Sequence, residues 1–372
     1  MLVGVPKEIK PQETRVSLIP ATIREIIHAG SQVLVEKGAG CKVGISDDDY
    51  RLVGAEIVDS AAEIFSRAEL IIKVKEPLPV ECLLLHEDQT IFTFLHLAAD
   101  PKQAKLLKKA KVTAIAYETV TSNEGSLPLL TPMSQVAGRM SIQAGAHCLE
   151  MAQGGSGLLI GGVPGVRAAN VVIIGGGVVG TNAACIAAGM GAEVIVLDRS
   201  LPRLQALDLQ FGTKIRTVYA ITETIENHII AADLVIGAVL IPGAATPKLV
   251  TPAMLKLMRP GSVMVDVAID QGGCFVTSKP TTHHHPTYLV DQIIHYCVTN
   301  MPGAVPRTAT FALNNATLTY ILSLVTKGIK EALLTDLHFQ NGLNIHKGMI
   351  TNKAVAQALE SPYVAPIEAL NY

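Results

Sequence analysis

The stretch NVVIIGGGVVGTNAACIAAGMGAEVIVLD, residues 170–198, decides the fold. It opens with an apolar strand and turns through Gly175, Gly177 and Gly180 in the spacing G-x-G-x-x-G. A small-residue helix follows over 181–189, and the next strand closes on Asp198. The glycine pattern alone is weak. Framed by strand, turn, helix, strand and acid, it reads as a dinucleotide-binding fingerprint rather than a glycine-rich turn of some other α/β protein. Each part has a physical reason. Gly175 permits the tight turn. Gly177 has no side chain, so a pyrophosphate can approach the backbone. Gly180 lets the helix sit close to the strand. The phosphates then meet free N–H groups at a helix N-terminus. Asp198 can accept from the ribose hydroxyls. Arg199 next to it would favour a 2′-phosphate, but Asp198 repels that group, so NAD is expected as the cofactor rather than NADP. The uncharged run 168–192 is long enough to span a bilayer. Its six glycines and its division into strand, turn and helix match a strand buried on both faces of a parallel sheet instead.

Outward from this stretch the chain alternates. Strands are expected at 2–5, 32–35, 70–74, 90–95 and 113–117, with helices at 21–29, 60–67 and 102–109. Further strands are expected at 171–174, 193–197, 216–220, 234–238 and 262–267. One long helix is expected over 132–153, with Pro132 near its start, Ser134 as its N-cap and Gly154-Gly155 at its end. Helices at 312–334 and 353–360 follow, with no sheet of their own. This is an α/β chain of two doubly wound domains, a Rossmann NAD-binding domain inserted into a Rossmann-like substrate domain. The expected bounds are 1–132 and 309–372 for the substrate domain and 133–308 for the nucleotide domain.

With 372 residues the chain can bury two large cores. A net charge of −2, with no like-charge run longer than Asp47–Asp49, argues against a nucleic-acid surface. Charged residues make up 17%, against about 25% in typical soluble domains, which points to surface buried in an oligomer. The six cysteines form no C-x-x-C pair and no zinc spacing, so no metal site is expected and the chain reads as reduced. The start, MLVGVPKEIK, lacks the apolar core of a signal peptide. A cytoplasmic protein without membrane attachment is expected.

Several long stretches are non-generic: GVPKEIKPQETRVSLIP at 4–20, KVKEP at 73–77, FTFLHLAAD at 92–100 and TPMSQVAGRMSIQAGA at 131–146. LLIGGVPGV at 158–166, GAVLIPGA at 237–244, VDVAIDQGG at 265–273 and NMPGAVPRT at 300–308 extend the series. In these the chain resembles the bacterial alanine dehydrogenases over essentially its full length. It is also similar to the NAD-binding portion of proton-translocating transhydrogenase and, more remotely, to saccharopine dehydrogenases. The resemblance implies a hexamer that reversibly deaminates L-alanine to pyruvate and ammonium. It implies that Arg15 and Lys75 hold the substrate carboxylate and that His96 and Asp270 are the catalytic pair. Ser134, Asp198, Asn300 and Met301 would contact NAD. Two features depart from the pattern: the run His283-His284-His285, read as a solvated loop, and Cys185 in the fingerprint helix.

The same residues have blander readings. His96 could be a packed histidine beside Phe92, Phe94 and Leu95. Lys75 could be a surface lysine near Glu76, Arg15 a loop arginine, and Asp270 a turn residue before Gln271-Gly272-Gly273. Against this, Lys75, His96 and Asp270 each fall just past a strand, where ligands of open α/β sheets bind. A histidine also titrates near working pH and suits proton transfer. The competing functions are an NAD-binding subunit of a proton-translocating transhydrogenase and a non-catalytic nucleotide sensor.

Overall fold

The computed structural model describes residues 1–239 and 246–372. The motif at 237–244 therefore lies partly outside the described residues. The chain divides into two compact units, Met1–Met133 with Val305–Tyr372, and Ser134–Ala304.

The first unit begins with six parallel strands: β1 Leu2–Val5, β2 Gln32–Glu36, β3 Glu56–Val58, β4 Leu70–Ile72, β5 Thr90–Thr93 and β6 Thr113–Ala116. Their spatial order is β6-β5-β4-β1-β2-β3, so the winding reverses between β1 and β4. The second unit carries β7 Asn170–Ile174, β8 Glu193–Asp198, β9 Arg216–Tyr219, β10 Leu234–Gly237, β11 Val263–Asp266, β12 Thr287–Val290 and β13 Ile293–Tyr296. Here the order is β12-β13-β11-β10-β7-β8-β9, with the reversal between β7 and β10. All neighbours are parallel except β12 against β13. Such reversals open a crevice at the carboxyl ends of the strands. Both sheets are covered on both faces, and alternate residues of one strand enter different cores. Val171 and Ile173 join one cluster, Val172 and Ile174 the other. The α/β, doubly wound fold is as expected.

Several expectations need correction. The C-terminal segment does supply sheet: β14 Leu343–His346 adds antiparallel to β6, and β15 Met349–Ile350 adds to β14. A two-residue turn at Lys347-Gly348, both at positive φ, joins them. The helix expected over 312–334 runs Pro306–Lys327 and stops at Gly328, whose φ of 82° is unsuited to helix; a second helix, Ile329–Thr335, follows. The long helix begins earlier and ends sooner, at Thr131–Cys148. Ser134 is therefore inside its first turns and not its N-cap. The N–H groups of Leu130 and Thr131 already donate to the carbonyl of Leu127, so the chain is turning before Pro132. Pro132, lacking an N–H, costs nothing there. A separate 3-10 turn, Met151–Gln153, leads to Gly154 at φ 86°.

Candidate active site

The loop after β1 carries Arg15, and three anchors fix it. Ser17 Oγ donates to the carbonyl of Ile72 at the end of β4, at 2.6 Å. The N–H of Val16 donates to Thr310 Oγ1 and that of Ile19 to Asn314 Oδ1, both on the helix Pro306–Lys327. The arginine is 2% exposed. Its Nε and Nη2 donate to the two oxygens of Glu13 at 2.7 and 2.5 Å, and Nη1 meets Met133 Sδ at 3.0 Å. Burial alone would raise the Glu13 carboxyl. The bidentate Arg15 contact outweighs it, with a further pull from Lys75, and the carboxyl falls to about 2. Arg15 thus presents a guanidinium with one edge committed to Glu13.

Lys75 follows β4, and its backbone is held from below. Glu8 Oε1 accepts from the N–H groups of Val74 at 2.7 Å and Lys75 at 3.3 Å. The same carboxylate lies 3.1 Å from Lys73 Nζ, which also donates to Glu81 at 2.8 Å. Burial would depress the Lys73 ammonium, but the charges of Glu8 and Glu81 hold it up, so it stays protonated. Lys75 is half-buried, and its neighbour Glu76 is engaged by Lys10.

His96 lies beyond β5, next to β4 in the sheet. The reading of a packed core histidine does not hold, because its side chain is 48% exposed. Its ring stacks on Phe94 with the planes 3° apart. Its φ of 52° is left-handed, an uncommon state for a non-glycine residue. Glu118 holds it there: the carboxylate accepts from His96 N at 2.6 Å and from Leu95 N at 3.2 Å. One oxygen lies 4.0 Å from His96 Nδ1. Arg15, Lys75 and His96 thus follow the carboxyl ends of three neighbouring strands, β1, β4 and β5, and Lys75 is near enough to Glu13 to lower its carboxyl. Glu8, Glu13 and Glu118 position them, and none of the three was singled out from sequence. Glu8 and Glu13 fall inside the quoted stretch 4–20 and Glu118 in a short turn after β6, but the contacts of Glu8 and Glu118 that matter here join separate segments of the chain.

In the second unit Gly175 leaves β7 at φ 100°, and a Cβ there would lie 2.7 Å from the Ala238 carbonyl at the end of β10. A Cβ on Gly180 would fall 1.8 Å from the carbonyl of Gly175. One on Gly177 would meet nothing within 4 Å. The helix Val178–Gly189 starts at Gly177 with no side-chain cap, so its first N–H groups stay available. Asp198 ends β8. Its Oδ2 accepts from Gly176 N at 2.7 Å and its Oδ1 from Ser200 N at 2.8 Å. An ionised carboxylate offers about four acceptor sites, which leaves capacity for ribose hydroxyls. Close backbone, open loop surface and acid fit a dinucleotide. Arg203, on the helix Leu201–Phe211, donates through Nε to the Gly176 carbonyl and through Nη2 to Thr181 Oγ1.

Asp270 is exposed on the 3-10 turn Val267–Gln271 that follows β11. Asp266, fully buried, secures that turn. It accepts from Ala268 N at 3.1 Å, Cys274 N at 2.9 Å and Ser278 Oγ at 2.5 Å. A Cβ on Gly273 would come within 2.5 Å of the same carboxylate. Asn300 sits at φ 60°, and Met301 is 3% exposed within the core. The histidine run is not uniformly solvated: His284 and His285 are exposed, but His283 is half-buried and its Nε2 donates to the Asn300 carbonyl at 3.2 Å. Ser134 is half-buried in the helix Thr131–Cys148. Among the described residues, no three His, Cys, Asp or Glu side chains are grouped to hold a metal.

Residues 4–137 match the N-terminal domain model of alanine dehydrogenase/PNT, and residues 141–353 match the C-terminal one. The chain belongs to the alanine dehydrogenase/PNT family. It is 55% identical to the alanine dehydrogenase of Halomonas elongata over 98% of both chains. It is 53% identical to that of Methanococcus maripaludis over the full length of both. A solved L-alanine dehydrogenase superposes with a TM-score of 0.94 at 51% identity, covering 97% of this chain and 99% of the other. A transhydrogenase from Sinorhizobium meliloti gives 0.80 at 24% identity over 95% and 100%, a likeness of fold. These place the chain with the dehydrogenase enzymes of the family rather than with its transhydrogenases. No helix of the described residues is long and apolar enough to cross a membrane.

Proposed function

We propose that the enzyme interconverts L-alanine with pyruvate and ammonium, using NAD. The observation that carries this reading is the cluster of Arg15, Lys75 and an exposed, strained His96 at one strand edge, in a chain that also has a complete dinucleotide loop. Bound NAD⁺ would supply the hydride acceptor. Arg15 and Lys75 clamp the substrate carboxylate, each charge-assisted bond contributing about 1.5–3 kcal/mol. Glu13 holds the guanidinium in one orientation, and Glu8 fixes the backbone from which Lys75 projects. His96 takes the proton released as water adds to the imine carbon, and returns one to the departing amine. Asp270 is assigned to the same reaction by the family resemblance, orienting water or amine. Ser134, Asn300 and Met301 are assigned to the cofactor on the same ground, Gly175, Gly177, Gly180 and Asp198 on their geometry as well. The residues 1–132 and 309–372 form the substrate domain in this reading, and 133–308 the NAD domain.

The assembly proposed is a hexamer. Leu159, Val163 and Val166 are 53–63% exposed on one short segment, apolar surface of the kind that a partner covers. The compartment proposed is the cytoplasm, in keeping with six free cysteines. The test is direct. NADH should be consumed when pyruvate and ammonium are both present, and not when either is left out. Binding of NADH without turnover would make the protein a nucleotide sensor instead.

A further inference from the structure

We propose that Arg203 is a ready-made acceptor for the 2′-phosphate of a phosphorylated adenine dinucleotide, and that Asp198 is what keeps it from serving as one. This rests on the nucleotide reading of the loop at 175–180. The acid and the cation line the same patch of backbone. A Cβ placed on Gly176 would lie 3.3 Å from Asp198 Oδ2 and 3.4 Å from Arg203 Cγ. Arg203 stands in the first turn of its helix, where its N–H donates to Ser200 Oγ at 3.3 Å, two residues after Asp198. Its guanidinium is aimed back at the loop, on the Gly176 carbonyl and the Thr181 hydroxyl.

Both of those acceptors are neutral. Among the described residues no carboxylate forms an ion pair with Arg203 within 4 Å, and the acid that shares its patch of backbone is Asp198, across Gly176. Arg199, the cation that sequence proximity suggests, is turned elsewhere: it is exposed, and its Nε points to the Ala220 carbonyl at 3.4 Å. A 2′-phosphate would carry close to two negative charges and three acceptor oxygens, which suits a planar guanidinium fork. The same phosphate beside the Asp198 carboxylate would be repelled and would displace its ribose hydrogen bonds. Cofactor choice then depends on one acid, because the cation needed for the alternative is in place already.

The test uses the full-length enzyme and measures binding of NADH and NADPH by fluorescence titration in wild type, Asp198→Ala, Arg203→Ala and the double variant. Asp198→Ala should raise the NADPH-to-NADH affinity ratio by about tenfold or more, the worth of one charge-assisted contact. Adding Arg203→Ala should return that ratio most of the way to the wild-type value, and Asp198→Ala with Arg203→Lys should keep part of the gain. A double variant that retains the full gain overturns the proposal. So does an Asp198→Ala enzyme that gains nothing, and so does an Arg203→Ala loss that falls equally on both nucleotides, which would mark Arg203 as a staple of the loop. A wild-type protein that binds neither nucleotide would instead overturn the reading of the loop itself.

Discussion

At the carboxyl ends of β1 and β4 the first unit buries five charged side chains, Glu8, Glu13, Arg15, Lys73 and Glu81, each at most 3% exposed. At the matching ends of β7 and β10 the second unit relies on glycine and exposed backbone, with Asp198 at the rim. The two crevices arise from the same topological reversal but are held differently. In the function proposed, the first unit orients a small carboxylate with fixed cations, and a buried cation needs a counter-charge because an unpaired one is too costly. In the same reading a long dinucleotide lies along the second unit, which removes side chains. One region should therefore fail electrostatically and the other sterically.

The largest contrast is expected at His96. His96→Gln should lower turnover by about 10²–10⁴-fold, the worth of a positioned proton-transfer group. NADH titration should be nearly unaffected, since the fingerprint lies in the other unit. An equal loss of turnover and NADH binding would dissolve the division of labour.

Glu13 offers a test by pH. Its carboxyl is depressed to about 2 in the folded protein. The stability it contributes is present above its unfolded value of about 4.3 and is lost as pH falls through the folded one. Glu13→Gln should cost on the order of 3 kcal/mol near neutral pH by breaking a buried ion pair. The gap between variant and wild type in denaturant unfolding should then close between about pH 4 and 2. A gap independent of pH would mean the two charges are not coupled.

Lys75→Ala should weaken pyruvate binding by about 10–150-fold, one charge-assisted contact. Parallel loss of NADH affinity would assign Lys75 a structural role. The smallest effects should come from the glycines and should separate. Gly180→Ala drives a methyl into backbone and should cost about 1–3 kcal/mol of stability. Gly177→Ala meets open space, so the fold should keep its stability while NADH binding weakens. Equal stability losses would contradict the packing described for the loop.

The fingerprint and its strands were legible in the sequence because their chemistry is local, whereas the roles of Lys75 and His96 were expected from the family resemblance and only their strand-end placement from the residues. Gly175 to Asp198 is one continuous unit, and Lys75 and His96 sit beside the strands that carry them. What escaped was non-local or short. β14 and β15 total six residues; β14 pairs with β6 across more than two hundred positions and β15 only with β14, so no periodicity announces them. β12 is a half-exposed edge strand, turned into β13 by Asp291-Gln292 at positive φ without a glycine to mark it. The positioning carboxylates were hidden for a related reason. Glu118 reaches His96 from the 3-10 turn that follows the neighbouring strand β6, and Thr310 and Asn314 hold the Arg15 loop from nearly three hundred residues away. His283 was misread as solvent-facing because a histidine run looks polar, whereas its contact with Asn300 depends on the fold.

The central claim is that a hydride leaves Cα of L-alanine for the nicotinamide. L-Alanine deuterated at Cα, incubated with NAD⁺ and the enzyme, should yield NADH carrying the deuterium, together with equal amounts of pyruvate and ammonium, all read by mass spectrometry and product assay. Unlabelled NADH, or no NADH from any amount of L-alanine while the nucleotide still binds, would contradict the account.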